Sequence, residues 1–228
     1  MNQNNKDRIS IQVGLNGYSF RLESGGQPVR SSDWMSADRV FTEQEFTRTY
    51  EDVQISLFTP KSTLVPVNFY DPESLKDILS SVCSISESDV VDAVEVPELG
   101  AVLVYSNDIG ENLSKLISEM VHRNDGAIVR ILPEHYYMLK ALDSINDYNK
   151  IIASYSDGYL YLVVAQGKSL QLCNSFKVPD FTTAEYFIFL ALKKLQLNLE
   201  VSSIYFRTQL EQEQEMSLYR YFKSVEVL

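Results

Sequence analysis

Two short patterns occur twice, in the same order, along this chain of 228 residues. The segment Asn16–Tyr18 (Asn-Gly-Tyr) is matched about 140 positions later by Asp157–Tyr159 (Asp-Gly-Tyr), and both lie between alternating apolar residues. The segment Phe41–Phe46 is matched at nearly the same offset by Phe181–Tyr186. Because the two offsets agree, the sequence indicates that one supersecondary unit is present twice.

The first match in each copy predicts a β-hairpin. Apolar residues alternate with polar or small ones over 9–15 and again over 18–22, with Asn16-Gly17 between the two runs. That dipeptide predicts a type I′ turn, in which both central residues have positive φ. The second copy has Asp157-Gly158 between two such runs, and a further turn at Gly167-Lys168 leads to a third strand. We expect the matching third strand of the first copy at 28–35.

The second match predicts a helix after each group of strands. Thr42 with Glu45, and Thr182 with Glu185, both have the spacing of a capping box. The predicted helices run to about 53 and 197, and each is followed by a short apolar strand, at 55–58 and 204–206. The shared order is therefore strand, strand, strand, helix, strand.

More α/β elements lie between and after the copies. The patterns predict helices at 71–82, 109–123, 133–145 and 211–222, and strands at 90–96, 101–105, 127–132 and 225–228. We therefore predict an α/β protein with two halves, a larger one over 1–147 and a shorter one over 148–228.

Charge and composition exclude some classes of partner. The net charge of −11 opposes binding to nucleic acid, which depends mainly on Lys and Arg. The start has no apolar stretch of signal-peptide length, and the longest apolar run, 186–192, is far below the ~20 residues that cross a bilayer. Cys83 and Cys173 form no CxxC pattern. We expect a cytoplasmic protein that binds neither nucleic acid nor membrane.

The element order resembles the duplicated ribonuclease-H-like halves of the actin-like ATPase superfamily. The opening stretch 9–20 and the stretch 58–66 also resemble an uncharacterised bacterial family, a domain of unknown function, assigned to that fold. This resemblance covers nearly the whole chain. It implies mixed sheets with flanking helices, and it implies no activity, because a fold does not determine a function.

The resemblance also implies where active relatives hold a nucleotide. Two hairpins would carry an Asp close to Gly and small hydroxyl residues, for phosphate and Mg²⁺, and a Gly-rich turn in the second half would receive the adenosine. Here the first hairpin has no carboxylate, and in the second Asp157 is followed closely by the bulky Tyr159. No double Gly follows Lys168, and the chain ends where that part of the fold is expected to continue. We predict a non-catalytic relative that binds no cofactor.

Other candidate sites are better explained by structure than by chemistry. Asp89, Asp92 and Glu95 fit a solvated strand edge, since the nuclease alternative requires an acid on the first strand of a half. His122 and His135 lack the neighbours of a zinc site, so we expect them at surface or capping positions.

No candidate nucleophile or metal ligand is assigned by the sequence. Cys83 and Cys173 are expected to be buried as small hydrophobic residues, and no Ser-His-Asp grouping is visible. The sequence therefore predicts no catalytic, cofactor-binding or metal-binding residue.

Apolar and aromatic segments leave two alternatives open. The run Tyr186–Leu192 predicts a helix buried between layers, and a subunit interface is the alternative. The Glu-rich segment 211–215 fits a solvated first helical turn. Several aromatic residues are candidates for a contact surface, although packing in the sheets and the core is the default interpretation. These aromatic residues are Tyr136, Tyr137, Tyr219, Tyr221 and Phe222.

Three functional hypotheses follow. The leading one is a non-catalytic cytoplasmic interaction or scaffold protein that binds an unidentified protein partner. The second is a nucleotide or small-molecule binder that uses the cleft between the halves, with weak or no hydrolysis and a role for Asp157. The third is self-association through the apolar helix or the Tyr-rich surface.

Overall fold

The structure of the protein is a computed structural model that describes residues 7–107 and 111–228. In chain order its strands are β1 (Asp7–Val13), β2 (Gly17–Ser24), β3 (Gln27–Ser31), β4 (Met35–Ser36), β5 (Thr49–Tyr50), β6 (Asp52–Leu57), β7 (Ser62–Pro66), β8 (Val91–Val96), β9 (Ala101–Ser106), β10 (His122–Arg123), β11 (Ile131–Pro133), β12 (Asn149–Ser156), β13 (Tyr159–Gln166), β14 (Ser169–Lys177), β15 (Ser203–Phe206) and β16 (Ser224–Val227). Its helices are α1 (Leu75–Ser80), α2 (Glu111–Met120), α3 (Glu134–Ala141), α4 (Phe181–Lys194) and α5 (Gln212–Leu218).

The chain divides into two compact units, each made of two segments. Unit 1 comprises Met1–Thr59 and Asn107–Glu134, and unit 2 comprises Pro60–Ser106 and His135–Leu228. These units are defined by contacts, whereas the two predicted halves follow the repeated order of elements. The predicted boundary between residues 147 and 148 stays a prediction.

Unit 1 is built on one mixed sheet in the order β11-β6-β1-β2-β3, with β4 also paired to β2. The hairpin β1–β2 is antiparallel, with Ile11 opposite Phe20, while β6 and β11 run parallel to β1. Alternation places Ile9, Ile11 and Val13 on one face of β1, where they form a buried cluster with residues of α2 such as Ile117.

Unit 2 contains a second mixed sheet with the same plan. Its order β14-β13-β12-β15-β16 repeats that of unit 1, because two antiparallel neighbours lie on one side of β12 and two parallel strands on the other. Helix α4 packs on this sheet through Ile188 and Leu192, within one cluster that includes Ile151 and Leu162. A three-stranded antiparallel sheet, β7-β9-β8, completes the unit. The predicted α/β class with mixed sheets is confirmed.

The predicted helix over 42–53 is wrong. Two 3₁₀ turns, Ala37–Thr42 and Gln44–Thr47, occupy its first part, and β5 and β6 follow. The Thr42 hydroxyl donates to the Arg39 carbonyl instead of capping a helix. Glu45 does not return to the backbone at Thr42, because its carboxylate is buried and paired with other side chains.

Glu45 holds these turns in place. Its carboxylate accepts from Arg30 at 2.9 Å, lies 2.9 Å from Arg48 and accepts from the Tyr50 hydroxyl at 3.2 Å. Burial and the neighbouring Glu45 carboxylate raise the pKa of Tyr50, so its hydroxyl keeps its proton and remains a donor.

We expect Glu45→Ala to lower the free energy of unfolding by about 1 to 2 kcal/mol, because the two guanidinium groups are half exposed and recover water. Urea denaturation measures this, with Glu51→Ala, on an exposed residue, as the control. Equal stability of the two variants would contradict a stabilising role for Glu45.

The other predicted elements differ mainly at their ends. Asp180, whose carboxylate accepts from the Thr183 amide at 2.7 Å, is the N-cap of α4 in place of the predicted Thr182. The predicted strand at 28–35 is two strands, β3 and β4, and the predicted start of α2 at 109 lies outside the described residues. Helix α1 begins at Leu75, since Asp71 accepts from the Glu73 amide and forms a turn instead of a helical start.

Candidate functional site

The first hairpin turn differs from the predicted type I′ turn. Residues 14–16 connect β1 to β2, and the Gly14 amide donates to the Gly17 carbonyl at 2.9 Å. Neither Asn16 nor Gly17 has positive φ, so that prediction is wrong. Glycine is needed at position 17 for a different reason, which is lack of space.

Protein atoms fill the space beside the Gly17 Cα. A Cβ at this position would lie 2.2 Å from the Met35 carbonyl oxygen and 2.7 Å from Nε1 of Trp34. Strand β4 pairs with Gly17, and the Trp34 ring packs 6.1 Å from the ring of Phe58. Leu15 at the tip of the turn is 58% exposed and Trp34 is 42% exposed. This end of unit 1, formed by Leu15, Trp34 and Phe58, is the aromatic hairpin end.

The second hairpin turn has the predicted geometry. Asp157 and Gly158 have φ of 51° and 73°, as a type I′ turn requires. The Gly158 carbonyl accepts from the Val178 amide at 2.8 Å, which ties the turn to the end of β14. Turn chemistry thus accounts for both residues of this dipeptide.

A buried carboxylate lies at the carboxyl ends of the parallel strands of unit 1. Glu134 directly follows β11 and is fully buried. Its Oε1 accepts from the Gln12 amide at 3.2 Å, and its Oε2 accepts from the Ser56 hydroxyl. Gln12 and Ser56 face each other on neighbouring strands β1 and β6. Carboxyl ends of parallel strands are where open α/β sheets most often bind ligands, so Glu134 is a candidate site residue.

The carboxyl ends of β6 and β15 are also alike in detail. In unit 1 the Phe58 amide donates to the Val13 carbonyl at 2.8 Å, and in unit 2 the Arg207 amide donates to the Ala153 carbonyl at 3.0 Å. A threonine follows in both cases. The Thr208 hydroxyl accepts from the Tyr155 amide at 3.0 Å, whereas the buried Thr59 hydroxyl has no hydrogen-bond partner among the described residues. The duplication therefore extends to the backbone hydrogen bond and to the threonine that follows it, while the bonding of the two hydroxyl groups differs.

The acidic residues predicted at a solvated strand edge are not all solvated. Asp92 and Glu95 are exposed on β8, as expected. Asp89 is buried, and its carboxylate lies 2.5 Å from the Lys61 ammonium and accepts from the Ser86 hydroxyl at 2.6 Å. Across the part of the chain that the structure describes, no three His, Cys, Asp or Glu side chains are grouped to hold a metal ion.

The two histidines have different environments. His122 is exposed on β10, in agreement with the predicted surface position. His135 is in the first turn of α3 but is buried, which corrects the expectation of a surface or capping role. Its Nδ1 lies 2.8 Å from the Ser62 hydroxyl, and its ring contacts the Tyr161 ring edge-on at 5.3 Å.

Both cysteines are free and partly buried, somewhat less buried than predicted. Burial raises the pKa of the Cys83 thiol, and raises the pKa of the Cys173 thiol to about 12. Because the thiolate is the reactive form, neither residue is suited to act as a nucleophile at neutral pH.

We expect a Cys83→Ser variant, which keeps only Cys173, to resist alkylation by iodoacetamide at pH 9 while folded and to react quickly in urea. The raised pKa means that the folded protein holds this proton while the unfolded chain releases it. Cys173 therefore favours folding below about pH 9 and loses that contribution as the pH rises toward about 12. Rapid alkylation of the folded protein would contradict this prediction.

The apolar helix α4 is buried on one face only, which corrects the expectation of full burial. Ala184, Ile188 and Leu192 are buried, while Tyr186 is exposed. On the outer side, Phe189 packs against Tyr221 with ring centroids 4.7 Å apart. A groove of about 570 Å³ lies here, and we call it the α4 groove; it is lined by Phe189, Lys193, Gln196, Leu197, Leu199 and Tyr221.

The remaining aromatic candidates are divided between packing and surface. Tyr136 and Tyr137 contact each other edge-on at 5.4 Å, and the Arg207 guanidinium lies 5.5 Å from the Tyr137 ring. Phe222 is buried, whereas Tyr219 and Tyr221 are exposed. The Glu-rich start of α5 is a capping box between Glu211 and Gln214. Only part of this aromatic set is therefore accessible to a partner.

Comparison with known proteins assigns the family. Residues 1–225 match the model of the family described as Protein of unknown function (DUF3822). The chain belongs to this family. No curated protein matches the sequence of this DUF3822 protein. Among the described residues, every helix is too short or too polar to span a bilayer.

Solved structures confirm the predicted fold of the DUF3822 protein. A protein from Bacteroides thetaiotaomicron, described as having an actin-like ATPase fold and unknown function, is similar with a TM-score of 0.66 and 16% identity, over 98% of this chain and 91% of that one. A structure described as the PilM–PilN type IV pilus biogenesis complex is similar with a TM-score of 0.50 and 12% identity, over 97% of this chain and 88% of that one. The actin-like ATPase fold is thereby shown.

Sequence reasoning about the DUF3822 protein missed Trp34 and Glu134. The sequence places Glu134 at the start of a helix. The signal for a site residue is that this Glu directly follows a short apolar strand and Pro133. Nothing in the sequence around Trp34 indicates that its side chain packs beside Gly17, because the two residues are brought together by the pairing of β4 with β2.

Proposed function

We propose that this DUF3822 protein is a non-catalytic cytoplasmic interaction protein that binds a protein partner at the aromatic hairpin end. The supporting observation is that the Met35 carbonyl and the Trp34 indole occupy the space beside Gly17. A ligand cannot approach the turn there, while Leu15 and Trp34 remain open to solvent. Tryptophan is enriched among the residues that carry most of the binding energy of protein interfaces.

Two further facts support a protein partner. PilM, which has this fold, is known in a complex with PilN, so the fold is compatible with partner binding. The net charge of −11 disfavours nucleic acid and anionic membrane surfaces as the partner. Leu15 and the Trp34 ring, which packs on the buried Phe58, offer an apolar surface, so the partner contributes an apolar segment.

Site-specific photocrosslinking in the native host tests this proposal. A photoreactive amino acid in place of Leu15 is expected to give one dominant adduct with another protein. The same amino acid in place of Ile128, which is in the same unit and is also highly exposed, is the matched control. Adducts of equal yield at both positions, or none at position 15, would contradict a partner at the aromatic hairpin end.

The second candidate function, binding of a nucleotide or small molecule, is favoured by one observation. Glu134 is a fully buried carboxylate at the carboxyl ends of parallel strands, a position where polar groups often meet ligands. If ATP with Mg²⁺ binds, a concentration of 100 times Kd adds about 2.7 kcal/mol to stability, which thermal denaturation detects. Glu134→Gln is the matched variant. If millimolar ATP leaves the melting temperature of the wild-type protein unchanged, this candidate function is excluded.

A further inference from the structure

A short turn in unit 2 projects two apolar side chains into solvent. Phe69 is 78% exposed and Val67 is 54% exposed, both in the 3₁₀ turn Val67–Phe69 that follows β7. The turn is anchored, because the Val67 amide donates to Gly100 at 3.0 Å and Tyr70 packs into the cluster under α1. We call this feature the Phe69 knob. An anchored turn that exposes a phenyl ring exposes apolar surface that a partner can cover.

Carboxylates follow the Phe69 knob directly. Asp71 and Glu73 are both exposed, two and four residues after Phe69. The Asp71 carboxylate accepts from the Ser74 hydroxyl at 2.7 Å and from the Glu73 amide at 3.0 Å, and these bonds lower its pKa. The knob therefore presents a phenyl ring beside negative charge at neutral pH.

The α4 groove has the complementary chemistry. Phe189, Leu197 and Leu199 give it an apolar floor, and Tyr221 forms one wall. Its volume of about 570 Å³ falls within the range typical of pockets that take an apolar group. The groove begins where α4 ends, because Gln196 with φ of 58° turns the chain and Leu197 folds back to donate to Leu192 at 2.9 Å.

A lysine stands at the rim of the α4 groove. Lys193 lines the groove, is exposed in the last turn of α4 and forms no ion pair with a residue that the structure describes. Lys194 follows it outside the lining, and the exposed Glu200 follows the lining residue Leu199. An apolar groove with an ammonium group at its rim fits an apolar side chain followed by carboxylates.

We infer that the occupant of the α4 groove is the Phe69 knob of a second copy of this chain. Phe69 enters the apolar floor, and Asp71 and Glu73 lie against Lys193 at the rim. The two surfaces are different patches of one chain, so the contact is heterologous and leaves a free knob and a free groove on every pair. Repetition of the contact builds rings or filaments.

The charges disfavour the other way in which two copies could meet. A two-fold contact of groove with groove brings Lys193 close to Lys193 of the second copy. Like charges at an interface cost affinity, whereas the knob supplies opposite charge. The inference goes beyond the proposed function, because it uses unit 2 and does not involve the aromatic hairpin end.

Mass in solution tests the inference. By sedimentation velocity at low salt, the full chain is expected to give species larger than a dimer as its concentration rises. Phe69→Ser and Lys193→Glu are each expected to raise the dissociation constant by about thirtyfold, as loss of an interface anchor does. Phe41→Ser is the matched control, since Phe41 is 71% exposed in unit 1. The residues replaced are exposed, and thermal denaturation verifies folding.

Mixing the two defective variants distinguishes a heterologous contact from a two-fold one. Phe69→Ser keeps an intact groove and Lys193→Glu keeps an intact knob, so their mixture is expected to form a 1:1 dimer and nothing larger. In a single chain, Asp71→Lys combined with Lys193→Glu restores assembly by exchanging the charges. A wild-type chain that stays monomeric at millimolar concentration, or a mixture that stays monomeric, overturns the inference. Photocrosslinking at position 15 does not depend on these variants. The proposed function can therefore fail while the inference about assembly holds, and the reverse.

Discussion

Gly17→Ala is expected to lower the free energy of unfolding by about 3 kcal/mol, at the upper end of the usual cost of overpacking. The new Cβ would lie 2.2 Å from the Met35 carbonyl oxygen, a backbone atom that cannot move without displacing β4. Trp34 at 2.7 Å blocks the other direction. Chemical denaturation of the full chain measures the effect, and loss of tryptophan burial by fluorescence reports the displaced ring.

Gly100→Ala is the matched control for Gly17. Gly100 has φ of 58°, and no atom of a described residue lies within 4 Å of the place where a Cβ would be, so alanine there adds only backbone strain of about 1 to 2 kcal/mol. Asparagine tolerates this backbone region, so Gly100→Asn recovers part of the loss. Gly17→Asn recovers nothing, because the obstacle is lack of space. A Gly17→Ala cost no greater than that of Gly100→Ala would contradict the closed turn.

Ile188→Ala is expected to lower the free energy of unfolding by about 3 to 4 kcal/mol. Ile188 is fully buried on the inner face of α4, and truncation of a buried aliphatic side chain loses transfer free energy and leaves a cavity. Urea denaturation with fluorescence and circular dichroism as independent probes gives the value. The midpoint is expected to shift without a change in the slope.

Tyr186→Ala, two residues earlier on the same helix, is the matched control. Its side chain is exposed, so the expected change is within about 0.5 kcal/mol. The two variants together test the one-sided burial of α4. Similar large losses for both would restore the sequence-based expectation of a helix buried all round.

The sequence predicted the sheets well, because period-two alternation and turn dipeptides are local signals. The meander that turns at Asp157-Gly158 and Gly167 is an example, since left-handed φ at these residues is a property of the residues themselves. Asn16-Gly17 carries the same local signal but has another conformation. The difference arises because β4, which lies outside the hairpin, pairs with Gly17 and fixes the turn.

The wrong predictions for Glu45 and Asp89 share one cause, which is pairing of polar side chains that the local pattern does not show. Glu45 matched a capping box locally, but its pairs with Arg30, Arg48 and Tyr50 favour the 3₁₀ turns over a helix. Asp89 looked solvated from its neighbours in sequence, and Lys61 made its burial possible. The candidate site could not be predicted for the same reason. Glu134 accepts a hydrogen bond from Gln12, and more than half of the chain length separates these two residues in sequence.

The segmented course of unit 1 has a consequence for biosynthesis. Strand β11 completes the sheet beside β6, yet more than seventy residues separate the two strands along the chain. While the ribosome makes the intervening stretch, the backbone groups of β6 on that side lack their strand partner. Open strand edges invite association with other nascent chains. Slow translation between residues 60 and 130 would therefore prolong the interval in which a newborn chain depends on chaperones.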